Sequence, residues 1–145
     1  MFMEYKGRYP IFDPSGVCTY PVVQRRNKVT LEDLICPEAI RAQDYSVCES
    51  VLGAIQNVAE AVQNARAGNK PVMALVGAHA IKNGLGPILI DLVGRGVITL
   101  IAGNGATAIH DFELALIGQT SEDVPKALQE GQFGMAREFS YINTA

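Results

Sequence analysis

No apolar run in this sequence is long enough to span a bilayer, although 48% of its 145 residues are hydrophobic. One soluble core is the expectation for a chain of this length, with no membrane partner. Basic clusters are equally scarce. Beyond Arg25-Arg26 and Lys28 there is no basic patch, and the net charge is -3, which excludes a nucleic-acid partner that would need a basic face. The first ten residues show neither an apolar segment behind a basic one nor a small-residue cleavage site, so secretion is not indicated and the cytoplasm is the expected compartment. Cys18, Cys36 and Cys48 are odd in number and lack C-x-x-C spacing. They read as reduced thiols, small and buried, and not as a disulfide framework or a zinc site.

What is present divides into an arm and a domain. Residues 1–29 carry Tyr5, Tyr9, Tyr20, Pro10, Pro14 and Pro21 without a sustained period and read as an extended arm. Residues 30–145 read as an α/β domain. Thr30 to Asp33 and Ser46 to Glu49 each place an acid three residues after a hydroxyl, a capping pattern that satisfies free amides at a helix start. In the second helix Val47, Val51, Leu52, Ile55, Val58, Ala59 and Val62 form an apolar stripe that ends near Gly68. Pro71 to Val76 and Val97 to Ile101 are short continuous apolar runs, the mark of strands buried on both faces of a parallel sheet. A helical pattern over Ile81 to Val93, interrupted at Gly84 to Pro87, lies between them. Strand, helix, strand is the core of a Rossmann-like doubly wound parallel sheet. A helix over Ala108 to Ile117 follows, and Thr120 to Asp123 caps another that runs to about Glu130.

In such a sheet, ligands bind beyond the carboxyl ends of the strands, where free amides at helix starts attract anions. Two loops lie at that edge. Gly103-Asn104-Gly105-Ala106-Thr107-Ala108 fits the G-x-G-x-x-G/A dinucleotide pattern between a strand and a helix. The pattern alone is weak, and the acid expected about twenty residues on is missing, since Glu122 and Asp123 sit at a helix start. Gly77 to Gly84 is the second loop; Gly77, Ala78 and His79 open it, and His79 and Lys82 are placed to face a phosphate or a substrate. His110 and Asp111 fall in the first turn after the glycine loop. Together with His79 and Glu113 they could converge on one edge and exchange protons near neutral pH. No two of these have established ligand spacing such as H-x-x-x-H, so no metal is expected.

Gly77 to Leu85, Ile88 to Ile98 and Gly103 to Asp111 together resemble the NAD-binding half of the deoxyhypusine synthase family, mainly over residues 71–118. That family's second loop ends in Glu-Glu-Asp. Asp111 matches the final acid, whereas Ile109 and His110 stand at the two glutamates, which puts the family's polyamine contacts in doubt. Ala102-Gly103-Asn104 and His110-Asp111 are also similar to the NAD domain of ornithine cyclodeaminases related to lysine-ketoglutarate reductase. The resemblance implies NAD as cofactor, held by Gly77, Ala78, His79, Gly103, Asn104, Gly105 and Ala106. It also implies an amine, polyamine or basic amino acid as substrate and a homo-oligomer such as a tetramer, while His110 and Asp111, from their place after the glycine loop, are the candidate catalytic residues that position substrate or ribose. The family's catalytic lysine belongs to a later segment. With only two convincing parallel strands, the chain reads as an incomplete half of that fold or as one whose sheet another polypeptide or copy completes. A non-catalytic regulatory or assembly subunit is the rival reading.

Overall fold

The computed structural model describes residues 6–11 and 13–144. The parts of the expected arm at residues 1–5 and 12, and residue 145, lie outside the described residues. The elements are β1 (Asn27–Thr30), α1 (Pro37–Ala42), α2 (Glu49–Ala67), β2 (Met73–Leu75), α3 (Ala78–Lys82) and α4 (Gly86–Gly94), then β3 (Leu100–Ala102), α5 (Gly105–Ile117), β4 (Gln119–Glu122), α6 (Val124–Gln129) and α7 (Phe139–Thr144). The fold is mixed α/β. β2 and β3 pair in parallel, Met73 opposite Leu100 and Leu75 opposite Ala102. β1 and β4 form a separate antiparallel pair, Asn27 opposite Glu122 and Val29 opposite Thr120.

Local chemistry accounts for most boundaries. At Thr30 the hydroxyl accepts from the Glu32 amide at 3.3 Å and the Asp33 carboxylate accepts from the Thr30 amide at 2.8 Å, but only one 3-10 turn follows, Leu31–Asp33. α2 starts at Glu49 instead of Ser46 and ends as expected at Gly68, after which Asn69 takes a left-handed φ of 53° that its short polar side chain tolerates. The helical pattern over 81–93 is two helices, because Gly84 adopts φ +83° and breaks it. α5 begins on an Asn104–Thr107 capping box and stops at left-handed Gly118.

Four expectations are corrected. Residues 119–122 form a strand where a helix cap was expected: the Asp123 amide donates to the Arg26 carbonyl at 3.0 Å and the Leu31 amide to the Gly118 carbonyl at 3.1 Å, so the backbone is committed to β1. The parallel strands are not buried on both faces, since Leu75 is 80% exposed and Leu100 51%. The physical reason is that α2 does not lie over them; none of its residues is buried, and its Arg66 end is tied by Nε to the Gly96 carbonyl at 2.8 Å. The three cysteines are exposed. Of the segment expected as an arm, residues 20–29 are built into the body: Val22 and Arg25 are buried, the Tyr20 amide donates to the Met135 carbonyl at 3.2 Å, and the Val22 amide to the Glu138 carboxylate at 2.8 Å.

Among the described glycines, Gly84 is the one that leaves least room for a side chain. A Cβ there would run into the Asp33 carbonyl oxygen and the Leu34 Cα, backbone atoms that cannot swing aside. Gly84→Ala should therefore lower the free energy of unfolding by at least about 2 kcal/mol, combining left-handed strain with the clash. Gly53→Ala, in α2 with open space around it, should raise stability by up to about 1 kcal/mol through helix propensity. Urea denaturation measures both; equal stability of Gly84→Ala and the parent would mean that residues 33–34 yield.

Candidate functional site

Helix α5 divides two cavities. Side chains three and four apart share a helix face, so Asn104, Thr107, Ala108 and Asp111 look one way, and Ala106, Ile109, His110 and Glu113 look another. On the first side a cleft of about 490 Å³ opens beyond the carboxyl ends of β2 and β3, lined by Val76, Ile81, Leu89, Ile101, the Gly103–Gly105 loop and Asp111. Thr107 locks this edge together: its hydroxyl donates to the Val76 carbonyl at 3.2 Å, joining the start of α5 to the end of β2. Gly103 suits that lock, since a Cβ there would sit 3.1 Å from the Thr107 Cβ and Cγ2 and would press on the locked side chain. A Cβ on Gly105 would meet nothing within 4 Å. Neither glycine has a left-handed φ, so close approach, not backbone strain, is what they provide. Among the described residues no backbone hydrogen bond engages the amides of Gly105 and Ala106, because the cap takes up only the Thr107 amide.

On the other side a cavity of about 290 Å³ is lined by Arg25, Lys82, His110, Glu113, Glu122 and the rings of Phe133 and Phe139, among others. A chain of hydrogen bonds runs along its wall. Arg25 Nη2 lies 2.6 Å from Glu113 Oε1, an ion pair in which both side chains are almost fully buried. No N–H of Nη2 points down that line, so the contact is held by charge more than by an aligned hydrogen bond. Arg25 Nε donates to Asn27 Oδ1 at 2.9 Å, and its guanidinium stands 5.6 Å from the Phe139 ring centroid. The Thr120 hydroxyl donates to Glu113 Oε2 at 2.5 Å, and His110 Nδ1 is 2.7 Å from the same hydroxyl. Since the only Thr120 hydroxyl proton goes to Glu113, His110 Nδ1 must be the donor in that second bond, which assigns the Nδ1–H tautomer and leaves Nε2 with a lone pair. Burial pushes the His110 pKa below its ordinary 6.5. The nearby Glu113 charge opposes this, and Lys82, Arg25 and His79 add to it. The ring is thus neutral and basic at pH 7. Tyr20 donates to Glu122 Oε1 at 2.9 Å, and burial with that carboxylate pushes its pKa up to about 12.

The expected site residues are therefore split. Gly103, Asn104, Gly105 and Asp111 line the larger cleft, whereas Ala106 and His110 line the smaller cavity. Gly77, Ala78 and His79 follow β2 directly, with Gly77 capping α3 and His79 exposed, but they are not among the residues lining the cleft. His110 and Asp111 do not converge: adjacent residues of a helix point about 100° apart. Arg25, Thr120, Tyr20 and Glu122 were missed as site residues. Their one local signal is Glu113 three residues after His110. Compared with protein-family models, characterised proteins and solved structures, the chain matches none.

The His110 network makes a titration prediction. In the ring's NMR titration the midpoint should lie below 6.5, and lower still in Glu113→Gln, which removes the one charge that favours the protonated ring. Because the folded-state pKa is depressed, the unfolded chain takes up the proton first as pH falls. The stability due to neutral His110 is thus complete above 6.5 and is lost between 6.5 and the lower folded value. A midpoint at or above 6.5 would refute this arrangement.

Proposed function

We propose that this chain is the NAD-binding part of an NAD-dependent enzyme acting on an amine or an amino acid, similar in kind to the deoxyhypusine synthases. The observation that carries the reading is the glycine-lined cleft beyond two parallel strand ends, its wall formed by the start of α5. The residues suit the group: Gly105 leaves room for close backbone approach, its amide at the start of α5 makes no backbone hydrogen bond and so can take a phosphate, and Asp111 is placed to accept from ribose hydroxyls. When bound, the nicotinamide would supply a hydride acceptor. The finer fold reading, a Rossmann-like doubly wound sheet, rests on the β2–β3 pair with α3 and α4 between, and needs further strands beside it. A reducing compartment, the cytoplasm, suits three exposed free thiols.

The smaller cavity is the substrate side in this reading. Neutral His110, oriented by Thr120 and Glu113, offers a lone pair that can accept a hydrogen bond from an ammonium and receive its proton once that nitrogen turns acidic as hydride leaves the neighbouring carbon. Lys82 and Glu122 put opposite charges on the same wall, which complements a small zwitterion. The separation of His110 from Asp111 favours the second reading, a subunit that binds NAD without turning it over.

Calorimetric titration with NAD tests the cleft. Binding at micromolar to millimolar concentration is expected, and Gly105→Val should weaken it at least roughly tenfold while the protein stays folded, because the added side chain enters open space in the cleft. Unchanged affinity in the folded variant would remove the glycine loop from the site. Reduction of NAD in the presence of polyamines or basic amino acids separates the enzyme from the non-catalytic subunit.

A further inference from the structure

Helix α2 is the most conspicuous element that the proposed site leaves unused. Its apolar residues Val51, Ile55, Val58, Val62 and Ala65 follow one another at alternating steps of four and three, the spacing of a heptad seam. A stripe of this kind in a surface helix is normally covered by its own domain. Here no α2 residue is buried, and Ile55 and Val58 are 54% and 65% exposed. The exposure is not confined to one helix. The chain's accessible surface is 10936 Å², against roughly 7,250 Å² for a compact chain of its mass, so far more surface is open than the roughly 800 Å² per partner that a stable interface removes.

The seam also states what can cover it. The positions flanking it, Leu52, Ala54, Ala59 and Ala61, are uncharged, and all but one are small, so a second helix can approach closely without like-charge repulsion. The helix's charged residues are Glu49, Glu60 and Arg66; Glu60 lies on the opposite face, among Gln56, Gln63 and Asn64. A partner recognised through charge would find nothing to read on this face. An identical seam matches it in length, about 28 Å for 19 residues, and in neutrality. Val51, Ala54, Ile55 and Val58 with Ser50 frame a shallow apolar hollow, the kind of hole into which a knob from a facing helix fits.

We propose that two copies of this chain pair through α2, in a two-fold symmetric helix pair whose knobs are Val51, Ile55, Val58 and Val62. The pairing does not depend on the NAD reading, and either can fail alone. Light scattering and sedimentation of the full chain should give twice the 15.6 kDa monomer mass at micromolar concentration. The double variant Ile55→Asp, Val62→Asp should raise the dimer dissociation constant at least roughly 100-fold, since burying unpaired carboxylates in the seam is costly. Gln56→Asp with Gln63→Asp, on the far face, should leave it unchanged. Because none of these residues is buried in the protomer, circular dichroism should be unaltered in both variants. Should the acidic seam variant lose helix content, Ile55→Ala with Val58→Ala replaces it, with at least a tenfold weakening expected. A monomeric parent up to 100-fold higher concentration would overturn the proposal. So would a dimer that tolerates the seam substitutions, because another face would then hold the copies together.

Discussion

The contact between Arg25 and Glu113 organises the part of the molecule that is properly closed. Two buried charges cost several kcal/mol each to remove from water, and only close pairing with further polar partners offsets that cost. The first condition is met and the second in part: Glu113 uses one oxygen for Arg25 and the other for Thr120, and Arg25 spends Nε on Asn27 and stands near the Phe139 ring, while its Nη2 is held by charge without an aligned hydrogen bond. Four separate stretches of chain meet there: the segment before β1, helix α5, strand β4 and helix α7. The Val22–Glu138 and Tyr20–Glu122 bonds run alongside and reinforce the same junction. Loss of either charge would leave the other buried and unpaired, so the junction stands or falls as a unit.

A polar junction of this kind leaves its mark on the rest of the fold. Glu113, Val22, Thr120 and the Arg25 side chain are buried almost completely, whereas many of the large hydrophobic residues, those of α2, β2, β3 and α4 among them, stay open. Hydrogen bonding specifies geometry closely but supplies little net driving force, about 1 kcal/mol for a typical bond. Apolar burial supplies more, and here much apolar surface stays open in the single chain. The closed polar part and the open apolar part are thus complementary in energetic terms: one fixes the position of α5, and the other provides surface for contact.

This division also explains what was legible in the sequence. Where a boundary is decided by neighbours in the chain, it was readable: the Gly68 end of α2, the Thr30 capping box and the two short apolar strands all come from local chemistry, whereas the start of α5 was placed at Ala108, three residues late, because the Asn104–Thr107 cap lies inside the glycine loop. β4 was not readable, because Thr120 points its hydroxyl at Glu113 and His110 instead of an apolar side chain, so the strand lacks the alternation that announces one. Arg25 resembled a surface charge for a similar reason; its burial depends on a partner from a remote segment. The glycine loop does lie between a strand and a helix, but its glycines provide space and not left-handed turns: Gly103 packs closely on the Thr107 side chain, and Gly105 stands in the open.

The phase of α5 ties the two cavities to each other. Counting from the capping Asn104, Asp111 is seven residues on, close to two full turns, and so returns to the cleft side beside the glycine loop. His110, one residue earlier, is rotated by about 100° into the other cavity, where Thr120 and Glu113 hold it. In the family that the loop resembles, the residue at this place is a glutamate, an anion suited to a polycation. An imidazole kept neutral by burial cannot play that part. The same helical phase that keeps an acid beside the proposed ribose subsite therefore puts a neutral base in the smaller cavity, with a lysine and a glutamate on its wall. If that cavity is the substrate side, this chemistry favours a small amine or zwitterion over a long polyamine.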